Sequence, residues 1–171
     1  MSDTDISHPG SIHDISHRVN SGGNSIDSFY SGNLSGNVYD ACVRFVNVDI
    51  PKGANIAQSF LEFYAICSGY NTWRTSVKGI AEDNTASLSD SNPFTRSQTG
   101  NSTSYEYGMW SGLEFYFFIN VTSIVQEIVN RGGWGSGNAL AFTLSNNSSD
   151  YGNAISTSNW GNFSLTTSFY P

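Results

Sequence analysis

In several stretches of this chain apolar side chains fall at every second position, the period of a strand with one buried face. Ala41, Val43 and Phe45 alternate within Tyr39–Phe45, and Ser59, Leu61, Phe63 and Ala65 within Ile56–Ile66. Phe163, Leu165, Thr167 and Phe169 repeat the pattern against Ser164, Thr166 and Ser168. Thr75–Ala81 reads as a strand with Val77 inward, Leu113–Ile119 as a buried strand, and Ala139–Ser145 as another. Ser97–Ser104, rich in Ser, Thr and Asn, reads as a surface loop or an edge strand. Pro51 and Gly53 punctuate a turn, and Glu82–Thr85 and Asp90–Pro93 are turn clusters. The second face of the long strand, Phe60, Glu62, Tyr64 and Ile66, is unusually apolar for water. It calls for a loop, a second layer or a partner.

One segment departs from this period. Val121, Ile124, Val125, Ile128 and Val129 follow the spacing i, i+3, i+4, i+7, i+8, a single helical stripe. It predicts one short α-helix at about 121–131, with Asn120 as N-cap and Gly132 as stop. So short a helix is marginal alone in water, so it should pack onto the strands. Many short strands and one helix predict an all-β protein, a two-sheet β-sandwich of jelly-roll-like form. Residues 18–171 are expected to form that sandwich, and 1–17 a polar N-terminal arm or first strand. The echo of Asp5–His8 in Asp14–His17 is too brief for a repeat architecture.

Composition sharpens this picture. Charged residues are only 12% of the 171, while aromatic residues reach 14%, enough rings for a core and against disorder. The net charge of −7 excludes nonspecific nucleic-acid binding, because phosphate neutralisation needs clustered Lys and Arg. The longest apolar run, Phe115–Ile119, is too short to cross a membrane. Cys42 and Cys67 lack metal-ligand spacing, and strand alternation places them so that two free thiols are expected. The N-terminus has neither a basic start nor an apolar run. A sandwich opening at such a Met1 is expected to have lost a leader or to reach the outside by cell lysis.

The candidate chemistry is sparse. His8, His13 and His17 read as solvent-exposed residues of a possible assembly arm, since a metal site needs a further ligand and defined geometry. Calcium would have Glu82, Asp83, Asn84 and Asp150 as thin candidates, so no metal and no cofactor is expected. No nucleophile–base motif occurs, and all three histidines lie in the first 17 residues. Glu62, Glu82, Asp83, Glu106, Glu114 and Glu127 could supply a glycosidase pair only if two met in a cleft. The expectation is a protein that is not an enzyme. Tyr70 and Trp73 with Asn71, and Tyr105, Tyr107 and Trp110, could form aromatic platforms for a glycan. The same rings could cap the sandwich or contact a protein partner.

Three blocks carry a family likeness: Val43–Ile56 with Phe60–Phe63, Gly79–Asn84, and Ile124–Trp134 through Gly137–Leu140. Together they resemble carbohydrate-binding-module-like β-sandwich domains of the DNRLRE type, found in exported bacterial proteins and with similar folds in phage particles. The resemblance spans roughly residues 20–171. It matches folding determinants better than a ligand site: the Pro51–Gly53 turn, the helix bounds, and Trp134 as a plug for the sandwich end. Without the linkers and neighbouring domains of exported modules, the chain is expected to be a bacteriophage virion component. A capsid cement or decoration protein, or a tail or head-fibre protein, would contact other virion proteins or itself as a homo-oligomer. The alternative is a secreted carbohydrate-binding or adhesion module for a host surface glycan.

Overall fold

The computed structural model describes residues 4–7, 12–20, 22–26, 28–68, 72–108, 114–146, 153–157 and 163–170. The strands are β1 (Thr4–Ser7), β2 (Ile12–Val19), β3 (Asn24–Ile26), β4 (Phe29–Leu34), β5 (Asn37–Val48) and β6 (Asn55–Ser68). They continue with β7 (Thr72–Ile80), β8 (Gln98–Gly108), β9 (Glu114–Asn120), β10 (Asn138–Asn146), β11 (Asn153–Thr157) and β12 (Phe163–Tyr170). The helix α1 spans Thr122–Val129, between β9 and β10.

The protein is an all-β sandwich made from one curled antiparallel sheet. One half runs β3-β2-β5-β10-β7-β8 and the other β1-β12-β6-β9. The ladder β6-β11-β4-β5 joins the halves along one side. The β4–β5 hairpin turns on Ser35 (φ 52°) and Gly36 (φ 83°), positive at both central positions as a twisted two-residue loop requires. The expected inward residues of β6 and β12 are buried, and so is Val77. Phe29, Phe45, Phe63, Trp73, Phe117, Phe142 and Phe163 fill the space between the halves.

Within residues 1–17, read as an arm or first strand, β1 pairs with β12, and β2 pairs with β5 and runs past position 17. Of the two readings of Ser97–Ser104, a loop or an edge strand, the strand holds: β8 begins at Gln98 and ends the sheet order as an edge strand. Two expectations change: β9, read within Leu113–Ile119 as a buried strand, is buried on one face only, since Phe117 and Ile119 point inward while Tyr116 and Phe118 are exposed. The helix cap also shifts by one residue: Val121 takes the cap position, and the Asn120 side chain accepts from the Thr122 N–H at 3.0 Å.

The helix closes an end of the sandwich, touching β6, β7 and β8. Ile124, Val125, Ile128 and Val129 are buried, the stripe the spacing predicts. Gly79 on β7 makes room for it. A Cβ there would lie 2.8 Å from both Ile124 Cγ2 and Ile128 Cδ1. Gly79→Val is therefore expected to destabilise by about 1–3 kcal/mol through overpacking. A urea titration checks this: the midpoint should fall with the slope unchanged. Trp134 plugs the same region, 3% exposed, and its Nε1 donates to the Ile50 carbonyl at 2.9 Å.

Glu127 tethers α1 to β8. Its carboxylate accepts from the backbone N–H groups of Gly100 and Asn101, each at 2.8 Å, and from the Asn101 side chain. Burial alone would raise its pKa, but these hydrogen bonds and the charge of Arg131 outweigh it and hold the carboxyl below its ordinary value. A lowered folded pKa means stability present above the ordinary carboxylate range, around 4.3, and lost as pH falls through the folded value. Glu127→Gln should thus lower the melting temperature at pH 7. By pH 2–3 its melting curve should converge on the wild-type one.

The outer side of β5 and β10 has its own cover. Residues 81–97 lay Leu88 and Phe94 over Cys42, Ile80 and Ala141. Arg96 holds that loop by donating to the carbonyls of Ala86, Ser87 and Ser91. Arg18 sits 4.7 Å from the Phe94 ring centre and pairs with Asp40 at 2.8 Å. β10 is consequently buried on both faces from Ala139 to Leu144.

Candidate functional site

Of the rings singled out in the sequence, Trp73, Tyr105 and Tyr107 are described, and Trp73 is buried. Trp73 is 0% exposed, and its Nε1 donates to Ser31 Oγ at 3.3 Å. It lies 5.3 Å from Phe117 and 5.8 Å from Tyr105 between ring centres. Trp73 is a core residue, because β7 alternation turns Trp73, Thr75 and Val77 toward the opposite half. Tyr105 and Tyr107 are half-buried against the same cluster, with Tyr107 5.1 Å from Phe117. Tyr70 and Trp110 lie outside the described residues.

Tyr105 and Thr103 instead secure β9. Burial and the neighbouring Tyr107 push the Tyr105 phenol up, against a hydrogen bond from the Phe118 backbone. Thr103 Oγ1 donates to the Asn120 carbonyl at 2.8 Å. Side chains of β8 thus occupy backbone groups along the outer edge of β9, which would otherwise be open to strand addition.

The histidines divide likewise. His8 and the side chain of His13 lie outside the described residues. His17 is half-buried rather than solvent-exposed: its ring lies 4.9 Å from Tyr30 and 5.9 Å from Tyr39, and Nδ1 is 3.0 Å from Ser28 Oγ. Burial lowers its pKa, against the Ser28 carbonyl. No group of three His, Cys, Asp or Glu able to hold a metal occurs among the described residues.

The carboxylates weighed for calcium or catalysis mostly have structural partners. Asp83 pairs with Arg131 at 2.7 Å and Glu82 with Arg96 at 3.6 Å. The Asn84 side chain accepts from the Ala139 N–H. Glu106 pairs with Arg74 at 3.0 Å beside Ser104 and Tyr105, around an open depression of about 240 Å³. Asp150 and the Glu114 side chain lie outside the described residues. Glu62 is the exception. It has no ion pair among the described residues.

Glu62 sits in the middle of the outer face of the β1-β12-β6-β9 half. On β6 its neighbours along this face are Phe60 and Tyr64. Across the ladders it stands opposite Phe118 of β9 and Ser164 of β12. Tyr64 faces Tyr116, ring centres 4.6 Å apart, and Thr166 and Asn120 flank Phe60. Tyr116 is 68% exposed, Phe118 55% and Ile66 45%, the large hydrophobic side chains left most open to solvent among the described residues. This is a broad, open aromatic face, rimmed by hydroxyls and an amide, with the Glu62 carboxylate inside it. Such patches on an otherwise polar surface mark interaction sites. The β6 side of it is visible in the sequence; Tyr116 and Phe118 were missed because the run Phe115–Ile119 looks uniformly apolar.

An all-β sandwich with an exposed aromatic sheet face is the class that fold and site define. No protein-family model and no curated protein matches the sequence. Among solved structures, the enzymatically active domain of bacteriophage CBA120 tailspike protein 4 is similar at 9% identity and a TM-score of 0.39. The match covers 96% of this chain and 19% of that one. A CBM28 carbohydrate-binding module specific for non-crystalline cellulose is similar at 10% identity and a TM-score of 0.37, over 92% of this chain and 80% of that one. A CBM61 module in complex with β-1,4-galactotriose gives 11% identity and a TM-score of 0.29, over 98% and 86%.

Proposed function

We propose that this protein is a non-catalytic binding module that holds a polysaccharide on the outer face of β12, β6 and β9. The observation that carries the reading is the exposure of Tyr116 and Phe118 beside Tyr64 and Phe60 on one open sheet face. Flat rings pack against the C–H faces of sugars, and neighbouring hydroxyls and amides meet the sugar hydroxyls. Ser164, Thr166 and Asn120 supply those polar groups at the margin of the rings. An open face suits a chain of sugars better than a single small molecule, which wants a pocket enclosing most of its surface. The test is a polysaccharide and glycan array probed with the wild-type protein and the double variant Tyr116→Thr/Phe118→Thr. Binding lost in the variant supports the reading, and absence of any wild-type binding rejects it.

A second reading is a bacteriophage virion component that buries the same face against another virion protein or a second copy. Ile66 favours it, because an open aliphatic side chain gives more to a protein partner than to a sugar. Light scattering separates the two. An oligomer that the double variant dissociates would favour assembly, and a monomer with glycan affinity would favour the module.

A further inference from the structure

We infer that the polysaccharide held on this face carries free amino groups, and that Glu62 recognises their charge. The inference rests on the polysaccharide reading of the same face. Glu62 is flanked by Phe60 and Tyr64 along β6, by Phe118 across one ladder and by Ser164 across the other. A carboxylate among rings loses part of its hydration, a cost that a paired cation offsets. Among the described residues no cation pairs with Glu62. No lysine or arginine belongs to β1, β6, β9 or β12. Elsewhere Arg18, Arg74, Arg96 and Arg131 pair with Asp40, Glu106, Glu82 and Asp83.

The missing charge must therefore come from what docks. An ammonium placed over Glu62 would meet its carboxylate with the rings of Phe60, Tyr64 and Phe118 as neighbours, where cation–π attraction can add to ion pairing. The rings of Tyr116 and Phe118 then take the apolar faces of the flanking sugars. A neutral polymer would use the rings but leave Glu62 uncompensated. An acidic polymer would be repelled, both by Glu62 and by the net charge of −7. The occupant these features select is a polymer of amino sugars with a substantial share of unacetylated amines, since acetylation removes the charge.

The experiment is calorimetric titration at pH 5.5, where the amine is protonated. Partially deacetylated glucosamine oligomers are compared with fully N-acetylated oligomers of equal length and with neutral glucose oligomers. The proteins are wild type, Glu62→Gln and Tyr116→Thr/Phe118→Thr. Wild type should bind the amino-bearing oligomer about tenfold tighter than the acetylated one, as one partly exposed ion pair with cation–π support allows. Glu62→Gln should erase that preference, bringing the two affinities together, and added salt should weaken only the amino-bearing complex. Equal wild-type affinities, or a preference that survives Glu62→Gln, would overturn the inference while leaving the polysaccharide reading in place. No glycan bound by wild type, or binding untouched in the double variant, would overturn that reading as well. Tight binding of lysine oligomers with the same Glu62 dependence, and none of amino-sugar oligomers, would move the occupant to a basic protein partner and overturn both.

Discussion

Trp73→Ala is expected to lower the unfolding free energy by about 3–5 kcal/mol, the range for removing a large ring from a packed core. Trp73 is fully buried and touches Phe63, Phe117 and Tyr105, so it links β6, β7, β8 and β9. Its removal would leave a cavity between the halves and take away the donor to Ser31 Oγ. Chemical denaturation with tryptophan-independent detection, such as far-ultraviolet circular dichroism, measures the loss. The informative second measurement is ligand affinity on the fraction that remains folded, which should stay at the wild-type value. A large loss of affinity without loss of stability would place Trp73 at the binding surface, against its burial.

The double variant Tyr116→Thr/Phe118→Thr should behave in the opposite way. Both side chains are more than half exposed, so their burial contributes little to folding. Threonine keeps the β-branched preference of a strand position, which limits the change in stability to about 1 kcal/mol or less. Affinity should fall about a hundredfold, because two contact rings at roughly 1–2 kcal/mol each are removed. Urea denaturation and calorimetric titration on the same samples read both quantities. Together the two variants separate the rings that hold the protein from the rings that hold its ligand.

The contrast between Trp73 and Tyr116 shows where sequence reasoning stops. Both are aromatic, both lie on strands, and the sequence favours Trp73 because it sits beside Tyr70 and Asn71 in what resembles a binding loop. Trp73 instead falls on the inward phase of β7, and Tyr116 on the outward phase of β9. In β7 the alternation is legible, since Arg74, Ser76 and Lys78 mark the outward phase. In β9 it is not, because both phases are aromatic. The face of β6 carrying Phe60, Glu62, Tyr64 and Ile66 is legible as anomalous, but what lies beside it is not.

Local periodicity was enough to establish an all-β chain with one helical interruption, the inward residues of β6, β7 and β12, and the stripe of α1. Those features depend on spacing along the backbone, which any short window of sequence contains. Tertiary structure alone decided that β1 and β2 join different halves, and that residues 81–97 cover one outer face. It also decided that β9 lies beside β6, so that Phe118 stands opposite Glu62 and Tyr116 opposite Tyr64. Strand partners far apart in sequence are chosen by the packing of the whole sandwich, and that choice determines which apolar faces are buried and which stay open.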